Sequence, residues 1–250
     1  MSINTIEKTL TETFLRRPDA FVPNVGLFNP GVYYFIQRKD SCIFFLSDRI
    51  VFDFAGPVSE DGKQCTRAAV VLMFDKSNAG VTPQGYSHSK GIMNFYLGHD
   101  PACWKDNVST YQKLVYQDLW PGVDLLLQND NGKLKCNWVV RPGADPEQIV
   151  MRYLGAESFS LDDDGNLTVR HALGSMTDAC PVAFQEIDGA KTEIACSFCV
   201  KDEMRVGFET GSYSETAPLY IDPAVSYTTY LGGSAADSIN GISVGLTGDA

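Results

Sequence analysis

The chain has 250 residues, 44% of them hydrophobic, with a formal net charge of −11 and a pI near 4.7. Such a chain is globular and can bury a sizeable core, as one large all-β domain or two smaller ones. The acidic balance argues against nucleic acid and anionic membrane surfaces, which call for clustered Lys and Arg, and no apolar run approaches the roughly 20 residues of a membrane-spanning helix.

Ile3, Ile6, Leu10 and Phe14 recur at helical spacing, with Asn4 or Thr5 as N-cap, Arg16 and Arg17 near the C-terminal end and Pro18 as the stop. This predicts a short N-terminal helix within residues 1–18. The opening residues lack the basic and apolar regions of a signal peptide, so either the chain stays inside the cell or a leader precedes it. After a loop punctuated by Pro23, Gly26, Pro30 and Gly31, residues 32–38, 42–46 and 50–54 read as a meander of three short strands. Residues 65–74 read as a long apolar strand covered on both faces, 77–90 as a loop rich in small and polar residues, and 91–97 and 111–116 as further strands.

The strongest local signal lies between Val123 and Val140. Asn131-Gly132 fits a two-residue type I′ turn, which needs positive φ at both central positions. Beyond it Leu134, Cys136 and Trp138 alternate with Lys133, Lys135 and Asn137, giving one dry and one wet face. The arm before it, Leu125 to Leu127, is apolar without alternation and belongs nearer the middle of a sheet. Residues 149–154, 159–161, 167–169, 182–185, 194–200, 206–209 and 219–221 add strands at the spacing of sandwiches and barrels. The expected fold is all-β and antiparallel, one elongated sandwich-like module or two small ones in series, divided near residue 105, after a short N-terminal helix.

Candidate chemistry is sparse. Asp162, Asp164 and Asn166 are spaced like the first ligands of a calcium loop, but Gly165 is misplaced and Leu173 stands where the bidentate Glu belongs, so a β-turn is the preferred reading. Cys196 and Cys199 have zinc-like spacing without a second pair, and on a strand they point to opposite faces. The seven cysteines are therefore expected to be buried, reduced and metal-free, and no cofactor is implied. No Gly-x-Ser-x-Gly elbow is present, nothing singles out His88, His99 or His171 for a triad, and Tyr86 replaces the lysine that a phosphate loop over residues 80–85 would need. Among the 31 acids, Asp100, Asp118, Asp124 and Glu186 are candidates for a glycosidase pair. The aromatics Trp104, Tyr111, Tyr116, Trp120 and Trp138 crowd one third of the chain; of these Trp104, Trp120, Tyr111 and Tyr116 are the candidates for a carbohydrate- or peptide-binding platform.

From Ser226 the composition turns glycine-rich and nearly uncharged. Tyr230 to Ser234, Asp237, Ile242, Val244 and Gly248-Asp249 match, in order, the opening of one repeat in bacterial β-propeller-repeat (SBBP) proteins, and the repeat stops halfway. The body resembles the uncharacterised domain that precedes such repeats. Phe21 to Gly26, Asn94 to Gly98 with Asp100-Pro101 and Trp104, Tyr116-Gln117-Asp118, Pro121 to Leu125, Pro142 to Pro146, Asp164 to Leu167, Pro181 to Glu186 and Leu219 to Pro223 carry that resemblance. It departs at Leu27, where a Gln is common, and in its cysteines. The resemblance implies an all-β module over residues 19–223, a partial propeller repeat over 224–250, further repeats of the same protein, and an extracellular or cell-surface setting.

Two functions of different class emerge. One is a non-catalytic structural or binding module of a larger bacterial surface or secreted protein, with a carbohydrate or protein ligand. The other is a carbohydrate-active or other hydrolase whose catalytic carboxylates are distant in sequence, which would require a cleft holding two of them about 5 to 9 Å apart.

Overall fold

A computed structural model describes residues 20–58, 65–96, 99–130, 132–202, 204–222 and 224–229, with backbone alone for Val58 and 224–229. The helix expected within 1–18, Asn131 of the hairpin turn, and the repeat-like stretch from Tyr230 lie outside these residues.

In chain order the strands are β1 (Val22–Pro23), β2 (Tyr34–Gln37), β3 (Ser41–Phe45), β4 (Arg49–Val58), β5 (Cys65–Phe74), β6 (Gln84–Phe95), β7 (Lys105–Trp120), β8 (Val123–Asp130), β9 (Lys133–Val140) and β10 (Met151–Leu154). Next come β11 (Ser158–Leu161), β12 (Leu167–His171), β13 (Gly174–Asp178), β14 (Val182–Ile187), β15 (Ala190–Ile194), β16 (Cys196–Val200), β17 (Arg205–Thr210), β18 (Leu219–Asp222) and β19 (Ala224–Thr229). Two 3-10 turns, Pro101–Cys103 and Pro146–Gln148, are the helical elements among the described residues, each capped by an Asp followed by Pro. The fold is all-β, and every strand pairing among the described residues is antiparallel.

The first sheet runs β1-β2-β3-β4-β5-β10-β17-β16. The second is organised around β9. On one side β9 pairs along its whole length with β8, through the expected hairpin, in which Asp130 faces Lys133 and Gly132 sits at φ 79°. On its other side β9 takes β18 at Trp138 to Val140 and β19 at Leu134 and Lys135. Ile221 faces Trp138 and Ala224 faces Lys135: three residues on in one strand, three back in the other, so β18 and β19 keep one register along β9 on either side of residue 223. There the sequence has Pro, which offers no N–H to a ladder. Outside this composite strand lie β14, against β18, and β13, against β19, so the sheet forks into a β14-β15 branch and a β13-β12-β11 branch.

One cluster of buried side chains draws on both sheets. Ile36, Phe45, Phe52, Leu72 and Phe74 of the first meet Leu114, Leu125, Trp138, Val169 and Ile221 of the second. The first sheet is also covered on its other face. Val22, Phe35, Phe44, Val51 and Val71 pack there against Val108, Met93 and Phe95 of the β6-β7 hairpin and against Val25, Leu27 and Phe28 of the loop after β1. Asn24 ties that loop, its carboxamide oxygen accepting from the N–H of Leu27 (2.9 Å) and Phe28 (3.0 Å) while its nitrogen donates to the Val32 carbonyl (2.9 Å). The second half of β5, Val70 to Phe74, is thus apolar and covered on both faces, whereas Cys65 and Thr66 at its start are exposed, so the expected two-sided burial holds for only part of residues 65–74.

Where the structure departs from expectation, pairing has overridden composition. Gln84 to Lys90, expected as loop, forms the first half of the 12-residue β6, held by β7, and β7 itself extends well beyond residues 111–116. Residues 194–200 are not one strand: β15 ends at Ile194, and β16 from Cys196 belongs to the other sheet. The cysteines are not uniformly buried. Cys42 and Cys136 are, Cys180, Cys196 and Cys199 are half-buried, and Cys65 and Cys103 are exposed, because they fall at a strand end and in a surface 3-10 turn.

Candidate functional site

The aromatic candidates separate by burial. Tyr116 and Trp120 belong to the core, each with its polar end satisfied: the Tyr116 hydroxyl donates to the Leu46 carbonyl at 2.8 Å and Trp120 Nε1 to the Asp75 carbonyl at 2.9 Å. Tyr111 sits at the seam between the sheets. Its backbone exchanges two 2.9 Å hydrogen bonds with Phe21, its ring meets Tyr34 edge-on, and the Tyr34 hydroxyl accepts from the Gly85 N–H at 3.0 Å. A Cβ on Gly85 would come within 2.7 Å of the Tyr111 ring, so a glycine is what lets this ring lie flat on β6.

Trp104 is the candidate that faces outward. It comes directly after the Pro101–Cys103 turn, where Asp100 accepts from the Ala102 N–H at 2.9 Å and the Trp104 N–H closes on the Pro101 carbonyl at 3.1 Å. Trp104 is 38% exposed, and its ring meets that of the 59% exposed Tyr96 edge-on, with centroids 5.3 Å apart. Asp106 hydrogen-bonds the Tyr96 hydroxyl and pushes its pKa up. Ile92, also exposed, lies on the same side of β6 by strand alternation, and Asn94 between them receives the Asn107 N–H at 2.7 Å. Two angled rings, an acid and an aliphatic neighbour can stack on a sugar ring or on an apolar side chain. Tyr96 and Ile92 escape composition-based reading because single exposed apolar residues on a strand carry no pattern of their own.

The candidate acids are occupied by the fold. Asp118 and Asp124 share Arg141, which forms ion pairs with both. Asp118 also accepts the Gly122 N–H at 2.9 Å, and its own N–H donates to Asp124 at 2.6 Å, so this acid pair builds the turn before β8. Asp100 caps the 3-10 turn, and Glu186 is exposed on β14 opposite Lys191 of β15. Asp162 likewise closes the β11-β12 turn: its carboxylate accepts from the N–H groups of Asp164 (3.0 Å) and Asn166 (2.8 Å) and from the Asn166 side chain (2.9 Å), which holds its pKa below the usual carboxylate range. Asn166 Oδ1 in turn accepts the Cys180 N–H at 2.9 Å. The three residues of the calcium-like spacing are thus brought together by hydrogen bonds among themselves. Among the described residues no group of three His, Cys, Asp or Glu side chains is placed to hold a metal ion.

The histidines stand on different elements. His88 leans on Tyr111, His99 is exposed in the connection before the 3-10 turn, and His171 is buried, stacked on Phe54 with centroids 4.3 Å apart and pushed down in pKa by burial.

A second polar cluster is internal. The Tyr153 hydroxyl on β10 donates to Asp178 Oδ2 on β13 at 3.0 Å, and burial raises the Asp178 carboxyl to about 6 against the pull of that bond. Asp178 lies in a stretch, Gly174 to Asp178, without apolar alternation, so nothing in the sequence marks it.

No curated protein and no solved structure matches the chain. A family model does match, over residues 21–224, which runs from the residue before β1 to the start of β19 and takes in both sheets; by that match the chain belongs to the domain of unknown function family DUF7948.

Proposed function

We propose that the chain is a non-catalytic structural or binding module of a larger bacterial surface or secreted protein, sandwich-like in architecture, with propeller repeats continuing from its C-terminal side. The observation that carries the reading is the exposed Tyr96-Trp104 pair beside Asp106, on a face where the neighbouring Asp100 is committed to a cap. The ligand class that fits two angled rings with an adjacent acid is a carbohydrate, with an apolar protein segment as the alternative occupant. The commitment of Asp118 and Asp124 to Arg141 favours binding over hydrolysis, since a glycosidase needs one acid free to hold a proton and another free to face the sugar. The division proposed from the resemblance is a module over residues 19–223 and a partial repeat over 224–250; the repeat-like motif itself runs from Tyr230 to Asp249, while Ala224–Thr229 pairs into the module's second sheet.

Titration calorimetry against a panel of bacterial and plant oligosaccharides tests it, with Trp104→Ala and Tyr96→Ala as controls. Binding that falls at least tenfold in either variant at unchanged melting temperature supports the reading. Release of reducing sugar by the wild type would replace it with the hydrolase, and binding untouched by both variants would move the site elsewhere.

A further inference from the structure

Between the sheets lies a cavity of about 10 Å³ bordered by Phe52, Cys136, Trp138, Tyr153, Met176 and Asp178, among others. Most of this lining is apolar, yet two of the polar groups on it are left over. Trp138 is 1% exposed and its Nε1–H makes no hydrogen bond among the described residues; Asp178 is 6% exposed, and while Oδ2 accepts from Tyr153, Oδ1 accepts from none of them. Buried polar atoms are ordinarily paired, and here a donor and an acceptor on residues lining one small cavity are both without a partner among the described residues.

The topology explains why they do not reach each other. Trp138 on β9 and Asp178 on β13 are not on paired strands: the composite β18-β19 strand separates them, with Ile221 facing Trp138 and Val225 facing Asp178. The shift in pairing between β13 and β14 falls beside Asp178, since Asp178 faces Val225 whereas Val182 faces Asp222. With one strand between them, the two backbones stand two interstrand spacings, roughly 10 Å, apart.

We propose that this cavity is a binding site for one internal water molecule, which accepts from the Trp138 indole N–H and bridges to Asp178 Oδ1. About 10 Å³ is the room one water needs, and the indole and carboxyl give it the two partners that such waters require, with the Tyr153 hydroxyl as a third. The chemistry selects water over an ion. A cation would meet the hydrogen of Trp138, an anion would meet the carboxyl, and only a group that both donates and accepts serves the carboxyl whether or not it carries a proton. The bound water would join the two sheets through a chain of hydrogen bonds from β9 through β13 to β10.

The test is a water-to-amide NOE and ROE experiment on the ¹⁵N-labelled full chain, read at the Trp138 indole N–H, with a crystal structure as the independent measurement. A cross-peak to a water of nanosecond or longer residence is expected, together with density for one water between Nε1 and Oδ1. The peak should persist in Tyr153→Phe, which removes the hydroxyl that could relay exchange, and in Asp178→Asn, which keeps an acceptor. It should be lost in Asp178→Leu, whose side chain fills the space. No cross-peak in the wild type and no density in the cavity would overturn the proposal, even if the leucine variant fails to fold. Loss of the peak in Tyr153→Phe with the fold retained would also overturn it.

Discussion

The 3.0 Å hydrogen bond from the Tyr153 hydroxyl to Asp178 crosses from one sheet to the other, and both of its residues are enclosed by the shared core. Its acid is raised to about 6 by burial. In the unfolded chain an Asp titrates near 3.9. Below about pH 4 the carboxyl is neutral in both states and nothing is lost; as pH rises from about 4 to about 6 the unfolded state ionises first and draws the equilibrium toward itself. Above pH 6 the cost levels off at about 3 kcal/mol, from roughly two pKa units at about 1.4 kcal/mol each. Asp178→Asn removes this titration. The stability of the variant relative to wild type, by urea denaturation, is expected to rise between pH 4 and pH 7; a pH-independent difference would show that Asp178 does not titrate in this range.

Gly132 closes the β8-β9 hairpin at φ 79°. Gly132→Val places a β-branched side chain where L residues are strained, and a destabilisation of about 1 to 3 kcal/mol is expected with no change in ligand binding. An unchanged melting temperature would remove this turn from the elements that hold the register.

Gly155 presents a harsher case. It combines φ 77° with a Cβ position 2.2 Å from the Ala69 carbonyl oxygen, a backbone atom that cannot step aside. Gly155→Ala is expected to cost about 3 kcal/mol or more, whereas Gly143→Ala, with φ 77° and nothing within 4 Å, should cost about 1 kcal/mol. Parallel chemical denaturation of the two variants measures the difference, which isolates steric contact from backbone strain.

The cysteines divide by access. Native protein treated with iodoacetamide should be labelled first at the exposed Cys65 and Cys103, while Cys42 and Cys136 react only on unfolding, the latter further protected by a thiol pKa that burial drives well upward. Peptide mass spectrometry of a timed reaction checks the order.

The readable and unreadable parts of the sequence differ in a physical way. Residues 133–140 alternate because one face of β9 meets the core, and Asn131-Gly132 names its own turn, so this hairpin could be placed to the residue. The first half of β6, Gly-Tyr-Ser-His-Ser-Lys, buries almost nothing and is a strand only because β7 lies beside it; that information is held 20 to 30 residues away. The same holds for the candidate surface. Trp104 could be picked out among the aromatics crowded into one third of the chain, but its partner Tyr96 and the burial of Tyr116 and Trp120 come from how a long hairpin folds over a sheet.

Truncation tests how much of the C-terminal strand the sheet depends on. Ser226 to Thr229 supply four of the five residue pairs that hold β19 to β13. A chain ending at Val225 is therefore expected to melt several degrees below one ending at Thr229 and to associate through the bared edge of β13. Thermal melts and light scattering on the two truncations decide it; equal behaviour would mean that β19 contributes nothing to the sheet.

The common register of β18 and β19 along β9 also has a mechanical meaning. Their hydrogen bonds lie across the strand direction, with β9 on one side and β14 and β13 on the other. Tension transmitted through the chain beyond Thr229 would load those ladders in shear, many bonds at once, instead of peeling them one at a time. A module built this way can act as an anchor: whatever the chain carries on that side can be pulled without first unravelling the strand that holds it.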